Sequence, residues 1–360
     1  MRAYAVGKSK SVTARFLSEN MTEMPDALKE KMQKQGYHFV GRHSAVKICE
    51  YTANGLRGGT LCYKYSFYGI RSWQCVQATP AIGCNLSCRF CWRIIPDELG
   101  INWNELNAVD KWDDPEQIVD GMISEQRRIV SGFKGAADTD LKMRRWNEAN
   151  QPRHVALSLT GEPTFYPKLG RLLEAFHKRG ISTFLVSNGT LPEAIARISP
   201  LPTQLYISLQ APDEDTYMET TRPKVPNAWE RFRKSLSMLK TLDTRTVLRM
   251  TLIKGLNMRN PDGYAELIRL AGADYVEVKG FSFVGSSREE QRHLSLGSMP
   301  DHDEIKEFAG SLAEKTGYIV TAEHRVSRIV LLSRDQASKD GRMIDFSRIG
   351  MGEAAAAETA

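Results

Sequence analysis

Cys84-Asn-Leu-Ser-Cys88-Arg-Phe-Cys91 sets three thiols at C-x₃-C-x₂-C spacing, directly after the apolar run Val76–Ala81. Thiolates are the usual ligands of iron–sulfur clusters, and a cluster of four irons takes four of them. Three cysteines therefore leave one iron open to bind a small molecule. A zinc knuckle wants a fourth Cys or His nearby, in paired C-x₂-C spacing. None follows Cys91. The triad thus reads as the seat of a [4Fe-4S] cluster with one free coordination position, set on a loop after a strand.

Outward from this loop the chain repeats a strand–helix rhythm. Short runs rich in β-branched residues predict strands over Val76–Ala81, His154–Leu159, Ser182–Ser187, Gln204–Leu209, Thr246–Leu252 and Tyr275–Gly280. Between them, helical periodicity covers Pro115–Val130 (capped by Asp113 or Asp114), Lys168–Arg179, Leu191–Ile198, Ala228–Thr241, Pro261–Leu270 and Asp301–Thr316. Six such units predict an α/β fold, closing as a partial TIM-like (β/α)6 barrel more readily than a flat doubly wound sheet. Met24–Gln35 predicts one helix in an otherwise irregular start, and Val326–Ser333 a late edge strand. Residues 131–153 read as a long loop or insertion. The organisation expected is an N-terminal cysteine-rich extension over 1–75, a core domain over 76–335, and a C-terminal tail over 336–360 that is partly disordered.

The 360 residues are 41% hydrophobic, a globular value, and no apolar run is long enough to span a membrane. A basic start (Arg2, Lys8, Lys10, Arg15) lacks the apolar core of a signal peptide, so a cytoplasmic protein with a disordered basic start is expected. All six cysteines lie between Cys49 and Cys91. Without a secretion signal, such clustering points to metal rather than disulfides. The net charge of +6 is a mild push toward a polyanionic partner.

Further motifs strengthen the reading of the first triad. Phe90 precedes the third cysteine, and Leu159-Thr160-Gly161-Glu162-Pro163 closes the second strand. Together with the triad they resemble the radical S-adenosylmethionine superfamily, in which the open iron chelates the cofactor's amino and carboxylate groups. Thr160, Gly161 and Glu162 stand where a Gly-Gly-Glu motif receives that amino group, Thr160 replacing the first glycine. Ser187 and Asn188 after the third strand, and Ser208 after the fourth, are expected to serve the ribose. Arg249 on the fifth strand is expected to meet the cofactor's carboxylate.

Cys49, Cys62 and Cys75 form a second set, spaced C-x₁₂-C-x₁₂-C, which is neither a zinc-finger nor a ferredoxin pattern. Buried structural thiols would be the plain alternative. With Cys62-Tyr63-Lys64-Tyr65 and the run Cys84–Trp92, this doubled triad resembles the tRNA 4-demethylwyosine synthase family over about residues 45–335, in its compact archaeal form. The stretch before Cys49 is too short for the flavodoxin-like domain of other family members. The resemblance implies two [4Fe-4S] clusters, S-adenosyl-L-methionine and an external one-electron donor of flavodoxin or ferredoxin type. It implies a monomeric carbon–carbon lyase that condenses pyruvate with N1-methylguanosine beside the anticodon of tRNA-Phe. A 5′-deoxyadenosyl radical takes hydrogen from the methyl group, the carbon radical adds to pyruvate C2, the carboxyl carbon is lost, and ring closure gives the tricyclic base.

Pyruvate is then held either by the second cluster's open iron as a Lewis acid or by a lysine as a Schiff base. Lys64 is the first candidate and Lys47 the second. For the polyanion, Lys142, Arg144, Arg145 and Trp146 combine cations with a stacking ring, as single-stranded RNA requires, and Arg222 and Lys224 add charge. Trp92-Arg93 and Phe281-Ser282-Phe283 before Arg288 are further candidates near strand ends. The alternative is another radical enzyme with an auxiliary cluster and a peptide or protein substrate.

Overall fold

The computed structural model describes residues 24–349, apart from 108 and 110. One mixed sheet of ten strands organises it. The hairpin β1 (His38–Val40) and β2 (Ser44–Val46) leads by an antiparallel contact into six parallel strands. These are β3 (Cys75–Thr79), β4 (His154–Leu157), β5 (Ser182–Ser187), β6 (Gln204–Ser208), β7 (Arg245–Leu252) and β8 (Tyr275–Gly280), adjacent in chain order. The far edge is antiparallel: among the described residues β9 (Ile319–His324) pairs only with β10 (Ile329–Ser333), which pairs with β8.

All six expected parallel strands are present, two with the bounds expected and four with one or both ends shifted by a residue or two, and a helix follows each. Helix Pro115–Ser131 starts where the Asp114 carboxylate accepts from Glu116 N. The helix His302–Thr316 is opened by a reciprocal box in which Asp301 accepts from Glu304 N and Glu304 accepts from Asp301 N. Alternation along each strand divides the sheet's two faces. Val76, Leu157, Leu185, Ile207, Met250 and Val278 point outward and pack on the helices through Leu172, Phe176, Phe232, Ile268 and Leu312.

The other face is concave. Ala156, Phe184, Tyr206, Val247, Tyr275 and Leu331 all contribute to one cluster with Tyr63, Phe67 and Tyr68 of the helix Tyr63–Tyr68. A single six-residue helix meets six strands only if the sheet curls round it, which is the partial barrel expected. The barrel stays open, since its edge strands are β1 and β9. The carboxylate of Glu277 on β8, fully buried, accepts from Tyr63 Oη at 2.8 Å and Tyr68 Oη at 3.0 Å, locking the helix in place.

Three expectations need correction. Residues 131–153 are not a loop: Thr139 caps a helix over Asp140–Ala149, which packs on helix Glu50–Leu56. Its polar sequence hides the apolar stripe, which only Trp146 and Ala149 supply. The late strand is shorter than expected and is not the edge, because β9 covers it. Before Cys49, the chain also contributes the hairpin β1–β2 to the sheet rather than irregular chain alone. Residues 336–349 pack beneath the barrel: Ile344 N donates to Tyr68 O, and the Phe346 ring lies 4.7 Å from that of His154. The basic start and residues 350–360 of the expected tail lie outside the described residues.

Tyr68→Phe should remove one hydrogen bond to a buried carboxylate and lower stability by about 1.5–3 kcal/mol. The urea midpoint of the variant, against wild type, checks this, with far-UV circular dichroism unchanged.

Candidate active site

The loop after β3 carries Cys84, Cys88 and Cys91, and segments distant in sequence hold it. Ser87 N and Arg89 N donate to the carbonyls of Thr221 and Thr220, and Lys224 N donates to Asn85 O. The wholly buried Arg292 donates to Cys88 O at 2.6 Å and pairs with Glu98 at 2.7 Å. The three thiols face one another electrostatically: burial and then the Glu162 carboxylate push Cys84 up to about 12, and burial with Cys84 and Cys91 raises Cys88 well above its usual range.

Thr160, Gly161 and Glu162 lie against this loop. Gly161 has φ +70°, and a Cβ there would sit 2.0 Å from Ala81 O, so only glycine allows the two strand ends to approach. Glu162 is not a solvated strand-end acid. It is 1% exposed and accepts from Ser187 Oγ (2.8 Å), Asn188 N (2.7 Å), Thr164 N and Thr164 Oγ1. Burial raises its carboxyl while these bonds oppose the shift. Its side chain therefore fastens the end of β4 to the end of β5. Ser187 is spent on this bond, whereas the Asn188 amide reaches Cys84 Sγ at 3.7 Å and Asn85 at 2.9 Å. Ser208 is half-buried on the inner face.

The second set converges inside the barrel. Cys62 caps the plugging helix, Cys49 caps helix Glu50–Leu56, and Cys75 opens β3. Burial and then the neighbouring Cys49 push both Cys62 and Cys75 up to about 12. Lys64, two residues on from Cys62, lowers all three thiols by its charge. Its ammonium lies over the Tyr206 ring, 4.5 Å from the centroid, and 5.6 Å from that of Phe184. Lys47 instead stands over Tyr37 and Trp92, its charge disfavoured by burial and then by Arg93.

Arg249 lies with this second set, not with the first. Its Nε is 3.8 Å from Glu277, and its electrostatic neighbours are Tyr63, Glu277, Tyr206 and Cys62. The expected contact with the cofactor's carboxylate beside Cys84 has no support in this placement.

Nor do Lys142–Trp146 flank the barrel mouth. They precede β4 and pack at the amino-terminal ends of the strands, where Arg145 donates to Gly55 O and stacks on Trp73, Trp146 donates to Val130 O, and Lys142 pairs with Asp138. Arg222 and Lys224 belong to the clamp on the cysteine loop, Lys224 pairing with Asp97. Trp92 and the stretch Phe281–Arg288 do meet at the mouth: Ser286 N donates to Trp92 O, and exposed Arg288 lies over the Phe283 ring.

The donors fit iron–sulfur chemistry. All six cysteines are free and half-buried, in two separate triads. Among the described residues, no three His, Cys, Asp or Glu side chains are close enough to hold a single metal ion. The triads are looser than that, and a cluster takes each thiolate at a different iron.

Residues 79–268 match the Radical SAM superfamily, and residues 270–334 match the family described as wyosine base formation. An S-adenosyl-L-methionine-dependent tRNA 4-demethylwyosine synthase of Pyrococcus abyssi is 44% identical over 323 residues, covering 88% of this chain and 92% of the relative. The chain belongs to the tRNA 4-demethylwyosine synthase family. The human member is 36% identical over 334 residues, and the chain spans 44% of its length. A solved TYW1 structure with a lysine–pyruvate adduct bound superposes with a TM-score of 0.77 at 34% identity, covering 90% of this chain and 99% of that one. A crystal structure of archaeal TYW1 gives 0.69 at 33% identity, with the same coverage.

Sequence reasoning missed Arg292, Glu277 and Lys279. Arg292 had no signal, because its partner loop is remote. The other two had one: Tyr275-Val-Glu-Val-Lys-Gly280 places charges at alternate positions of a strand that is otherwise apolar, and that face points into the barrel.

Gly161→Ala should displace Ala81 and the cysteine loop behind it, lowering the iron retained after anaerobic reconstitution. Gly255→Ala is the control, since Gly255 shares the positive φ but has open space around its Cβ position. Iron assay of both should show loss in the first only. Equal iron would mean the contact at Gly161 does not govern the loop.

Proposed function

We propose that this chain forms 4-demethylwyosine from pyruvate and N1-methylguanosine in tRNA. Cys84, Cys88 and Cys91 hold a cluster that binds S-adenosyl-L-methionine, and Cys49, Cys62 and Cys75 hold a second. The observation that carries the reading is Lys64, an ammonium among three converging thiols on the inner face of the barrel. The first cluster, when bound, supplies the electron that cleaves S-adenosylmethionine, drawn from an external donor of flavodoxin or ferredoxin type. Lys64 Nζ attacks the keto carbon of pyruvate, and water leaves as the C=N bond forms. This holds the keto acid as an imine inside the barrel, and the lysine–pyruvate adduct in the solved TYW1 relative supports it. Thr160, Gly161 and Asn188 border the cofactor beside Cys84, Glu162 fixing their positions. Ser208 faces the same space.

The tRNA is to be held at the mouth. Trp92 and Phe283 are available to stack against an extruded base, and Arg288 to meet phosphate. Lys142, Arg144 and Arg145 lie on a different side and take no part.

The decisive assay incubates reconstituted protein with dithionite, S-adenosylmethionine, pyruvate and tRNA bearing N1-methylguanosine, followed by nucleoside mass analysis. Cys84→Ala should abolish 5′-deoxyadenosine formation. Cys62→Ala should keep it but make no tricyclic base, and reconstituted iron should fall from about eight per chain to about four. Wild-type product yield from Cys62→Ala would sink the role of the second set.

Arg288→Ala tests the mouth. Loss of one phosphate contact flattens the slope of log affinity against log salt by roughly 0.7–0.9. An unchanged slope in a filter-binding titration would remove Arg288 from the interface.

A further inference from the structure

Lys279 is the unexplained charge of the barrel. It takes the last inward position of β8, beside Thr251 on β7 and Ile329 on β10. Its ammonium donates only to backbone carbonyls, Ser327 O at 3.1 Å and Gly280 O at 3.3 Å. No carboxylate lies within ion-pair distance of it among the described residues. Glu277, two positions down the strand, has its oxygens engaged by Tyr63 and Tyr68, with Arg249 at 3.8 Å. Around this place stand four cations, Lys64, Arg249, Lys279 and Arg328, against the buried carboxylate of Glu277 and the exposed one of Glu50 beside Cys49. Even three thiolates around a cluster of four irons would leave the set positive.

Half-buried cations without a counter-charge are costly, and such perturbed groups gather at functional sites, where an anion can compensate them. Burial, then Arg249 and Arg328, push Lys279 down to about 7, so its full charge returns when an anion joins it. The position decides which anion. Arg249 and Lys64 both address Tyr206, and both Lys64 and Lys279 act on Cys62. A short 2-oxo acid fixed through its keto carbon to Lys64 therefore carries its carboxylate into the field of Arg249 and Lys279.

We infer that Lys279, with the Arg249 guanidinium beside it, forms a carboxylate site that selects a small 2-oxo acid over neutral carbonyl compounds. The inference rests on the proposed imine at Lys64. It makes Lys279 a specificity-determining residue, separate from the nucleophile and from both cysteine sets.

The test uses reconstituted holoenzyme, cyanoborohydride trapping and peptide mass mapping, with pyruvate and the neutral, similarly sized butane-2,3-dione as probes. Wild type should half-saturate at a far lower concentration of pyruvate than of the dione. Lys279→Met should raise the pyruvate requirement by at least about tenfold, as expected when one buried charge-assisted pair is lost. Dione trapping should be unchanged, 5′-deoxyadenosine formation without pyruvate retained, and Lys279→Arg should recover part of the preference. Equal half-saturation by the two probes in wild type overturns the inference without any variant. So does an unchanged pyruvate dependence in Lys279→Met, or an adduct that maps to Lys279 itself. Absence of any adduct in wild type rejects the imine at Lys64, and this site with it.

Discussion

A carboxylate with almost no exposure sits at the centre of this barrel, and much else follows from the need to satisfy it. Glu277 cannot be left unpaired in that position without a cost of several kcal/mol. Tyr63 and Tyr68 answer it with two hydroxyl donors, and Arg249 adds a charge at 3.8 Å. Both tyrosines belong to one short helix, so the same two bonds fix that helix in rotation and depth. Cys62 caps it and Lys64 lies in its first turn. The proposed ligand and the proposed nucleophile are thus placed by a strand residue more than 200 positions away in sequence. Tyr206 and Phe184 then give the Lys64 ammonium aromatic faces to rest on.

The first cysteine loop solves a different problem. A loop of this kind has few apolar contacts of its own, and its backbone polar groups need partners. They come from the chain around Thr220–Lys224 and from Arg292, while Asn188 holds the side chains of Cys84 and Asn85 and Glu162 ties the neighbouring strand ends together. The Gly-Gly-Glu resemblance survives the change to Thr160 because the Thr160 carbonyl accepts from Thr79 and the close approach is made at Gly161. Glycine is needed where φ is positive and backbone meets backbone, and that is the second position, not the first.

The parallel strands and their helices were legible in the sequence because burial on both faces gives short, apolar, β-branched runs, and because Asp114, Asp301 and Pro261 mark helix starts. The two triads were legible because ligand spacing within a loop is local. What escaped is non-local or masked. Residues 140–149 are so polar that periodicity fails, and the helix is recognisable only once Trp146 and Arg145 are seen to dock on other segments. Arg249 was placed on the correct strand but with the wrong partners: a strand residue's facing direction follows from alternation, whereas its depth along the barrel follows from shear, which no single strand encodes. The basic stretch near residue 144 misled for a related reason, since charge alone does not say which end of a barrel a segment occupies.

The two ends of the chamber differ in charge, and the difference matters for how the two small ligands of the proposed reaction would be kept apart. Beside Cys84 the buried acid is Glu162, already saturated by four donors, and the nearby cations are engaged: Lys224 pairs with Asp97, Arg292 with Glu98, and Arg93 donates to the Ser158 and Leu159 carbonyls. Around Cys62 the excess is cationic. S-adenosylmethionine is a zwitterion with a sulfonium charge, disfavoured where Lys64, Arg249 and Lys279 gather. The keto acid of the proposed reaction is an anion and would be drawn there. Coulombic sorting of this kind is strong in a chamber walled by low-dielectric core and weak in open water. A barrel plugged at one end by the Tyr63–Tyr68 helix supplies such walls, so the plug that satisfies Glu277 also gives the charge difference its reach.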